Sequence, residues 1–264
     1  MATEAFGRLR RRQRLYDEGR GILVVPLDHS VTTGPLVAGR RLTDLVGEIV
    51  TNGADAVVLH KGAMRRLDPV RMRNTSLVLH LSASTRHGPD PDAKCLVATV
   101  EEALLLGADA VSVHVNVGSL DEKRQLADLA AVSAACDRWN VPLLAMMYPR
   151  GPAFSRPVEA EDVALAATVG ADLGADLVKT VYPGSVAAMR DVVGAVSVPV
   201  LVAGGPRTTD ADELLGQVRD ALAGGAAGVA VGRNVFASPS PAQATRRIAD
   251  LVHRPTLAYS AVSA

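Results

Sequence analysis

Eight short apolar runs recur along the chain, separated by longer stretches of helical period. Four of them carry a repeated phrase: Gly53-Ala-Asp-Ala-Val-Val-Leu-His60, Gly107-Ala-Asp-Ala-Val-Ser-Val-His114, Gly174-Ala-Asp-Leu-Val-Lys179 and Gly225-Ala-Ala-Gly-Val-Ala-Val-Gly232. In each copy the glycine ends the preceding helix as a left-handed cap, and the next residues turn into a strand. The other four runs, Ile22–Asp28, Leu77–Leu81, Pro142–Tyr148 and Val198–Ala203, stand between the copies, so the phrases fall on strands two, four, six and eight. Helical patterns fill the gaps, among them Lys94–Leu106, Glu122–Trp139, Glu159–Leu173 and Asp210–Gly224. Strands that are apolar throughout are buried on both faces, as parallel strands under helices are. Eight strand–helix alternations predict an α/β chain folded as a single-domain (β/α)8 TIM barrel over residues 1–264. A doubly wound open sheet is the arrangement that periodicity alone leaves open.

Composition narrows the picture. The chain is 48% hydrophobic but only 3% aromatic, so Val, Ala and Leu must build the core. Basic and acidic residues balance at 28 each, which argues against a chain built as a whole for nucleic acid or a membrane surface. The local exception is Arg8 to Arg14, inside a basic segment 1–20 that predicts a solvated first helix. Residues 254–264 are weakly patterned and are expected to fray or to dock on a neighbour. Cys95 and Cys136 fall in helical patterns without CxxC spacing or a secretory apolar segment upstream, which fits a reduced, cytoplasmic protein. No apolar stretch is long enough to span a bilayer.

Candidate chemistry concentrates at the ends of the strands, where barrels of this kind place their active sites. Lys179 is the foremost case. Only four lysines occur among the 28 basic residues, and this one sits inside the apolar run Asp176–Tyr182. A desolvated lysine loses its proton more readily than arginine and then condenses with ketones to a Schiff base. The alternative is a lysine whose stem lies along the sheet while its head reaches water or a carboxylate. Asp28 ends strand one ahead of the polar loop His29–Pro35, and it is either a helix cap or an acid–base partner for Lys179. Tyr148 ends strand five and is either an amphipathic rim residue or a proton relay. Gly204-Gly205 after strand seven and Gly232-Arg233 after strand eight predict a phosphate site, with backbone N–H groups close to the anion and Arg233 supplying charge. His29, His60, His80 and His114 end or follow the first four strands, so a divalent metal is a competing reading. It would leave Lys179 without a role.

Set together, Val25-Pro26-Leu27-Asp28-His29-Ser30, His60-Lys61-Gly62, Met147-Tyr148-Pro149-Arg150-Gly151, Val178-Lys179-Thr180 and Ala203-Gly204-Gly205 resemble the archaeal-type class I aldolase family. The resemblance runs from about residue 20 to about residue 236, and the Met-Tyr-Pro-Arg-Gly segment is most similar to the aminoheptulosonate-synthase branch. It implies a metal-independent, cofactor-free enzyme with Lys179 as Schiff-base residue, Asp28 and Tyr148 moving protons, and Gly204, Gly205, Gly232 and Arg233 holding phosphate. His29, Ser30, Lys61 and Arg150 are then expected to bind substrate, His29 and Arg150 on an acceptor carboxylate. A sub-branch in secondary metabolism joins dihydroxyacetone phosphate to L-aspartate 4-semialdehyde on the way to 3-amino-4-hydroxybenzoate, and the loop 28–35 is most similar to it. Alternatives within the family are a transaldolase-type synthase of 2-amino-3,7-dideoxy-D-threo-hept-6-ulosonate and fructose-bisphosphate aldolase. Outside catalysis stands a phosphosugar-binding regulator on the same barrel. The family also implies a large homo-oligomer, often a decamer.

Overall fold

The computed structural model describes residues 5–16, 19–36 and 40–253. In its first half the elements are α1 (Phe6–Leu15), β1 (Ile22–Pro26), α2 (Ser30–Thr33), α3 (Leu42–Thr51), β2 (Ala56–Leu59), α4 (Lys61–Met64), a 3₁₀ turn (Pro69–Met72), β3 (Ser76–His80), β4 (Ser82–Ala83), β5 (Cys95–Leu96), α5 (Val100–Leu105) and β6 (Ala110–Val117). The second half runs α6 (Glu122–Trp139), β7 (Leu143–Pro149), α7 (Ala160–Asp172), β8 (Leu177–Thr180), α8 (Val186–Gly194), β9 (Val200–Ala203), α9 (Ala211–Ala223), β10 (Gly228–Ala230), α10 (Arg233–Phe236) and α11 (Pro241–Val252). Eight strands close into a parallel barrel in the order β1-β10-β9-β8-β7-β6-β3-β2, which decides against the open sheet.

Two apolar cores result. Outward-facing strand residues such as Leu23, Val57, Leu79, Val113 and Val178 pack under the helices. Inward-facing residues, including Ile22, Val24, Val58, Val78, Leu144, Met146, Leu177 and Leu201, fill the barrel itself. Leu15 of α1 joins this inner core, so the first helix closes the N-terminal end of the barrel.

The repeated phrase has a structural purpose that explains its aspartate. Asp55, Asp109 and Asp176 each accept from the first backbone N–H groups of a neighbouring strand: Leu23 (2.7 Å), Leu77 (3.0 Å) and Leu143 (2.7 Å). An arginine from the N-terminal segment then pairs with each carboxylate, Arg20 with Asp55 (3.2 Å), Arg14 with Asp109 (3.3 Å) and Arg8 with Asp176 (2.8 Å). The basic segment is therefore helical as expected over Phe6–Leu15 but is not simply solvated, because three of its cations are tied to the underside of the barrel. The tail 254–264 lies outside the described residues.

One expected element is corrected. The pattern over Lys94–Leu106 is helical only from Val100, because Thr99 and Glu102 form a reciprocal capping box that starts the helix there. Residues before it form a two-stranded hairpin, Cys95 with Ala83 and Leu96 with Ser82, at the C-terminal end of β3. Cys95 thus lies in a strand and is exposed, whereas Cys136 is buried in α6.

The Arg8–Asp176 pair is nearly buried, with side chains 14% and 10% exposed. Asp176→Ala would leave the Leu143 N–H without a partner and Arg8 with only the exposed Asp137, and is expected to cost about 3 kcal/mol. Asp212→Ala, which breaks the exposed Arg247–Asp212 pair, should cost less than about 1 kcal/mol. Urea unfolding of the two variants checks the difference, and equal midpoints would refute the underside lock.

Candidate active site

Strand parity assembles the site. Val24, Val58, Val78, Ala110, Met146 and Leu177 point into the barrel, and side chains alternate along a strand. Counting on by twos brings Asp28, His60, His80, His114, Tyr148 and Lys179 to the same inner face, at the C-terminal mouth. Lys179 is 6% exposed and Tyr148 8%, and the Lys179 Nζ lies 5.8 Å from the centre of the Tyr148 ring. Among the described residues Lys179 forms no ion pair, so its burial is not compensated by a bound carboxylate.

Asp28 sits among the histidines. Its Oδ2 is 3.7 Å from His80 Nε2 and its Oδ1 3.5 Å from His29 Nδ1, while the His60 and His80 rings lie 5.3 Å apart. These distances exceed good hydrogen-bond lengths, and Asp28 Oδ1 and His29 Nδ1 are buried without a hydrogen-bond partner. A buried, unsatisfied carboxylate oxygen in a cleft is poised for a ligand or a proton. No capping bond engages the Asp28 side chain, so the helix-cap alternative does not hold. Burial would raise the Asp28 carboxyl, but the charges of His80, His29, Lys179 and His60 outweigh it and hold it below the usual carboxylate range. His80 goes the other way: burial pushes it down to about 4 against the pull of Asp28, while its Nδ1 is held 2.8 Å from Ser112 Oγ.

The four histidines do not converge. His29 packs edge-on to Phe236, and His114 is bound to Asn116 Oδ1 (2.8 Å) and lies 4.8 Å from Tyr148, centre to centre. Among the described residues no three His, Cys, Asp or Glu side chains are placed to hold a metal ion.

At β9 and β10 the loops are fitted to each other. A Cβ on Gly232 would stand 2.6 Å from the Pro26 carbonyl oxygen, and one on Gly204 would stand 2.8 Å from Val231 Cγ1, so neither position admits a side chain without movement. Arg233 Nη2 donates to the Gly205 carbonyl (3.1 Å), and its exposed guanidinium lies beside the paired glycines. Asn234, which sequence reasoning passed over, ties the loop down by donating to the Gly204 and Pro206 carbonyls (2.8 and 2.9 Å) and accepting from Thr208 N (2.9 Å).

Other expected positions separate. Arg150 stacks over Tyr148, its Cζ 5.5 Å from the ring centre, whereas Ser30 opens α2 beyond His29. Lys61 is drawn to α5, where Glu102 pairs with it at 2.9 Å, and is not brought into the Asp28–Lys179 group. The residue missed by the sequence pattern is Lys94, assigned there to a helix. The hairpin places it only 8% exposed, bonded to Pro91 O (3.1 Å) and Ser84 Oγ. The Thr99–Glu102 capping box was the local feature that could have freed it from the helix.

His80 carries a pH consequence. Its folded pKa is about 4 and lies below the ordinary value of 6.5, so between these values the unfolded chain binds the extra proton. Stability is then full above pH 6.5 and is lost as pH falls through 4, by about 3 kcal/mol from this group. Urea midpoints measured from pH 7 to 4.5 should fall more steeply for the unsubstituted protein than for His80→Gln, and parallel slopes would refute the assignment.

Residues 22–238 match the DeoC/LacD family aldolase. A 2-amino-4,5-dihydroxy-6-oxo-7-(phosphonooxy)heptanoate synthase of Streptomyces griseus is 58% identical over 256 residues, 96% of this chain and 93% of the relative. A 2-amino-3,7-dideoxy-D-threo-hept-6-ulosonate synthase of Archaeoglobus fulgidus is 43% identical over 248 residues, 94% and 92% of the two chains. The fold superposes with a TM-score of 0.82 on an archaeal fructose-1,6-bisphosphate aldolase solved with its catalytic lysine covalently bound to the carbinolamine intermediate, at 28% identity over 94% of this chain and all of the other. With a closed barrel, a buried strand-end lysine and these relatives, the chain belongs to the DeoC/LacD aldolase family and is an aldolase.

Proposed function

We propose that this aldolase joins dihydroxyacetone phosphate to L-aspartate 4-semialdehyde through a Schiff base on Lys179. The product named for the Streptomyces relative carries the logic. Its C6 ketone stands two carbons from the C4 hydroxyl, so the bond an aldolase makes is C4–C5. Cutting there leaves dihydroxyacetone phosphate on one side and a 2-amino-4-oxobutanoate, the semialdehyde, on the other.

The single observation behind the reading is Lys179, buried on the inner face beside Tyr148 and, among the described residues, without an ion-pair partner. Its free amine attacks the donor ketone, and the carbinolamine loses water to an iminium. The iminium withdraws electrons, so a carbon-bound proton leaves and an enamine forms. That carbon attacks the semialdehyde carbonyl, making C4–C5, and the new alkoxide takes a proton. Water then hydrolyses the iminium, frees Lys179 and restores the water lost earlier. Asp28, ionised and with one oxygen unsatisfied, is suited to accept protons. Tyr148, its ring near both Lys179 and Arg150, is suited to donate to the alkoxide. Gly204, Gly205, Gly232 and Arg233 are assigned the phosphate: the space beside Gly205 is open, and Arg233, bonded to its carbonyl, adds charge. His29 lies beside Asp28, its Nδ1 3.5 Å from Oδ1, and is assigned to substrate binding.

A second reading follows from the Archaeoglobus relative, whose named product lacks the phosphate and the C7 oxygen but keeps the same amino-acid end. Borohydride reduction in the presence of dihydroxyacetone phosphate should add the donor to Lys179 and inactivate the enzyme, and mass spectrometry should locate the adduct. Lys179→Met should abolish both adduct and turnover, while Tyr148→Phe should lower turnover about 10²- to 10⁴-fold. Cleavage of fructose 1,6-bisphosphate with no reaction of the semialdehyde would overturn the choice of acceptor.

A further inference from the structure

The hairpin displaced from the expected helix brings three charges to the barrel mouth. Asp92 lies in its loop, Lys94 follows, and Arg150 faces them from the end of β7 with Nη1 3.9 Å from Asp92 Oδ1. That distance is too long for a hydrogen bond, so the carboxylate and the guanidinium attract one another without saturating their donors and acceptors. The side chains remain open to a ligand, 30% exposed for Asp92 and 52% for Arg150.

The loop beneath is built rigidly. Asn116, fully buried on β6, donates to the Asp92 carbonyl at 2.8 Å, and Gln125, 1% exposed on α6, donates to the same oxygen at 3.1 Å. Gln125 Oε1 in turn accepts from the Asn116 backbone N–H (2.9 Å), and Asn116 Oδ1 meets His114 Nε2, whose ring lies against Tyr148. Ring packing of Tyr148 on His114, followed by hydrogen bonds through Asn116, thus links Tyr148 to the Asp92 backbone. Two buried amides bonded to one loop carbonyl fix where the Asp92 side chain starts. Lys94 uses two of its three N–H groups on Pro91 O and Ser84 Oγ, which leaves one.

We infer that Asp92, Arg150 and Lys94 form the acceptor subsite and read the amino-acid end of the aldehyde as a zwitterion, Asp92 taking the α-ammonium and Arg150, backed by Lys94, the α-carboxylate. This rests on the acceptor proposed above. The alternation of charge is what an α-amino acid presents, one cationic and one anionic group on the same carbon. A phosphorylated aldehyde, purely anionic at its far end, would meet Asp92 as repulsion. Arg150 stacked on Tyr148 then places the aldehyde beside the group suited to protonate it. Sequence reasoning assigned the carboxylate to Arg150 and His29 and supplied no partner for the ammonium.

The test compares aspartate semialdehyde with succinate semialdehyde, the same aldehyde without its amino group. Asp92→Asn keeps the loop carbonyl and its two bonds, and is expected to raise KM for the amino aldehyde about tenfold or more with little change in kcat. Its KM for succinate semialdehyde should stay level or fall. Arg150→Met should raise KM for both, since both carry the carboxylate. If Asp92→Asn moves both acceptors equally, or neither, the ammonium assignment is overturned; if Arg150→Met moves neither, so is the carboxylate assignment. Failure of the unsubstituted enzyme to consume either aldehyde, with the donor imine still trapped on Lys179, would instead refute the acceptor on which the inference rests.

Discussion

A parallel strand can present only every second side chain to the interior of a closed barrel, and this alternation governs the rest of the molecule. Below the mouth the inward positions are mostly Val, Ala, Leu, Ile and Met, joined by the buried Ser76 and Ser112. At the mouth the same positions become Asp28, His60, His80, His114, Tyr148 and Lys179. The Lys179 nitrogen therefore sits above a largely apolar interior, with a phenol beside it and, among the described residues, no carboxylate paired to it. Reactivity and packing share one origin: the strand that buries Leu177 has to bury Lys179 as well.

The opposite end of the barrel serves stability. Three aspartates of the repeated phrase accept the first N–H groups of adjacent strands, and three arginines of the N-terminal segment pair with those carboxylates. Stability and chemistry are thus assigned to opposite ends, as barrels of this architecture commonly divide them. The division also shows why one repeat contributes to both. In Gly174–Lys179, Asp176 locks the underside while Lys179, three residues on, reaches the mouth.

Buried and half-buried polar contacts support the mouth from beneath. His80 with Ser112, and Asn116 with Gln125, His114 and the Asp92 carbonyl, carry the order of the strands out to the loops. Asn234 does the same for the loop after β9. Loops are otherwise the least constrained parts of a fold, and precise binding needs such support.

Much of this was legible in the chain. Continuous apolar runs at regular spacing determined an α/β chain with parallel strands, because such strands need burial on both faces, and closure into a barrel rather than an open sheet was decided by the strand pairing. Their places at strand ends put Asp28, Tyr148 and Lys179 on one expected rim, and the resemblance to class I aldolases rested on those same strand ends. What the chain alone did not decide lay in loops and long-range pairs. Lys94 read as helical because Leu96 to Leu106 fit the helical period, and only pairing of Cys95 with Ala83 and the cap at Thr99 placed it in a hairpin. Lys61 read as a substrate residue, yet Glu102, forty-one positions away, draws it to the helical layer. The role of Arg8 and the setting of Asp92 likewise depend on partners over a hundred and on twenty-four and thirty-three residues distant. Local periodicity encodes which face a residue takes; which charge it meets there is decided only when the barrel closes and brings distant segments together.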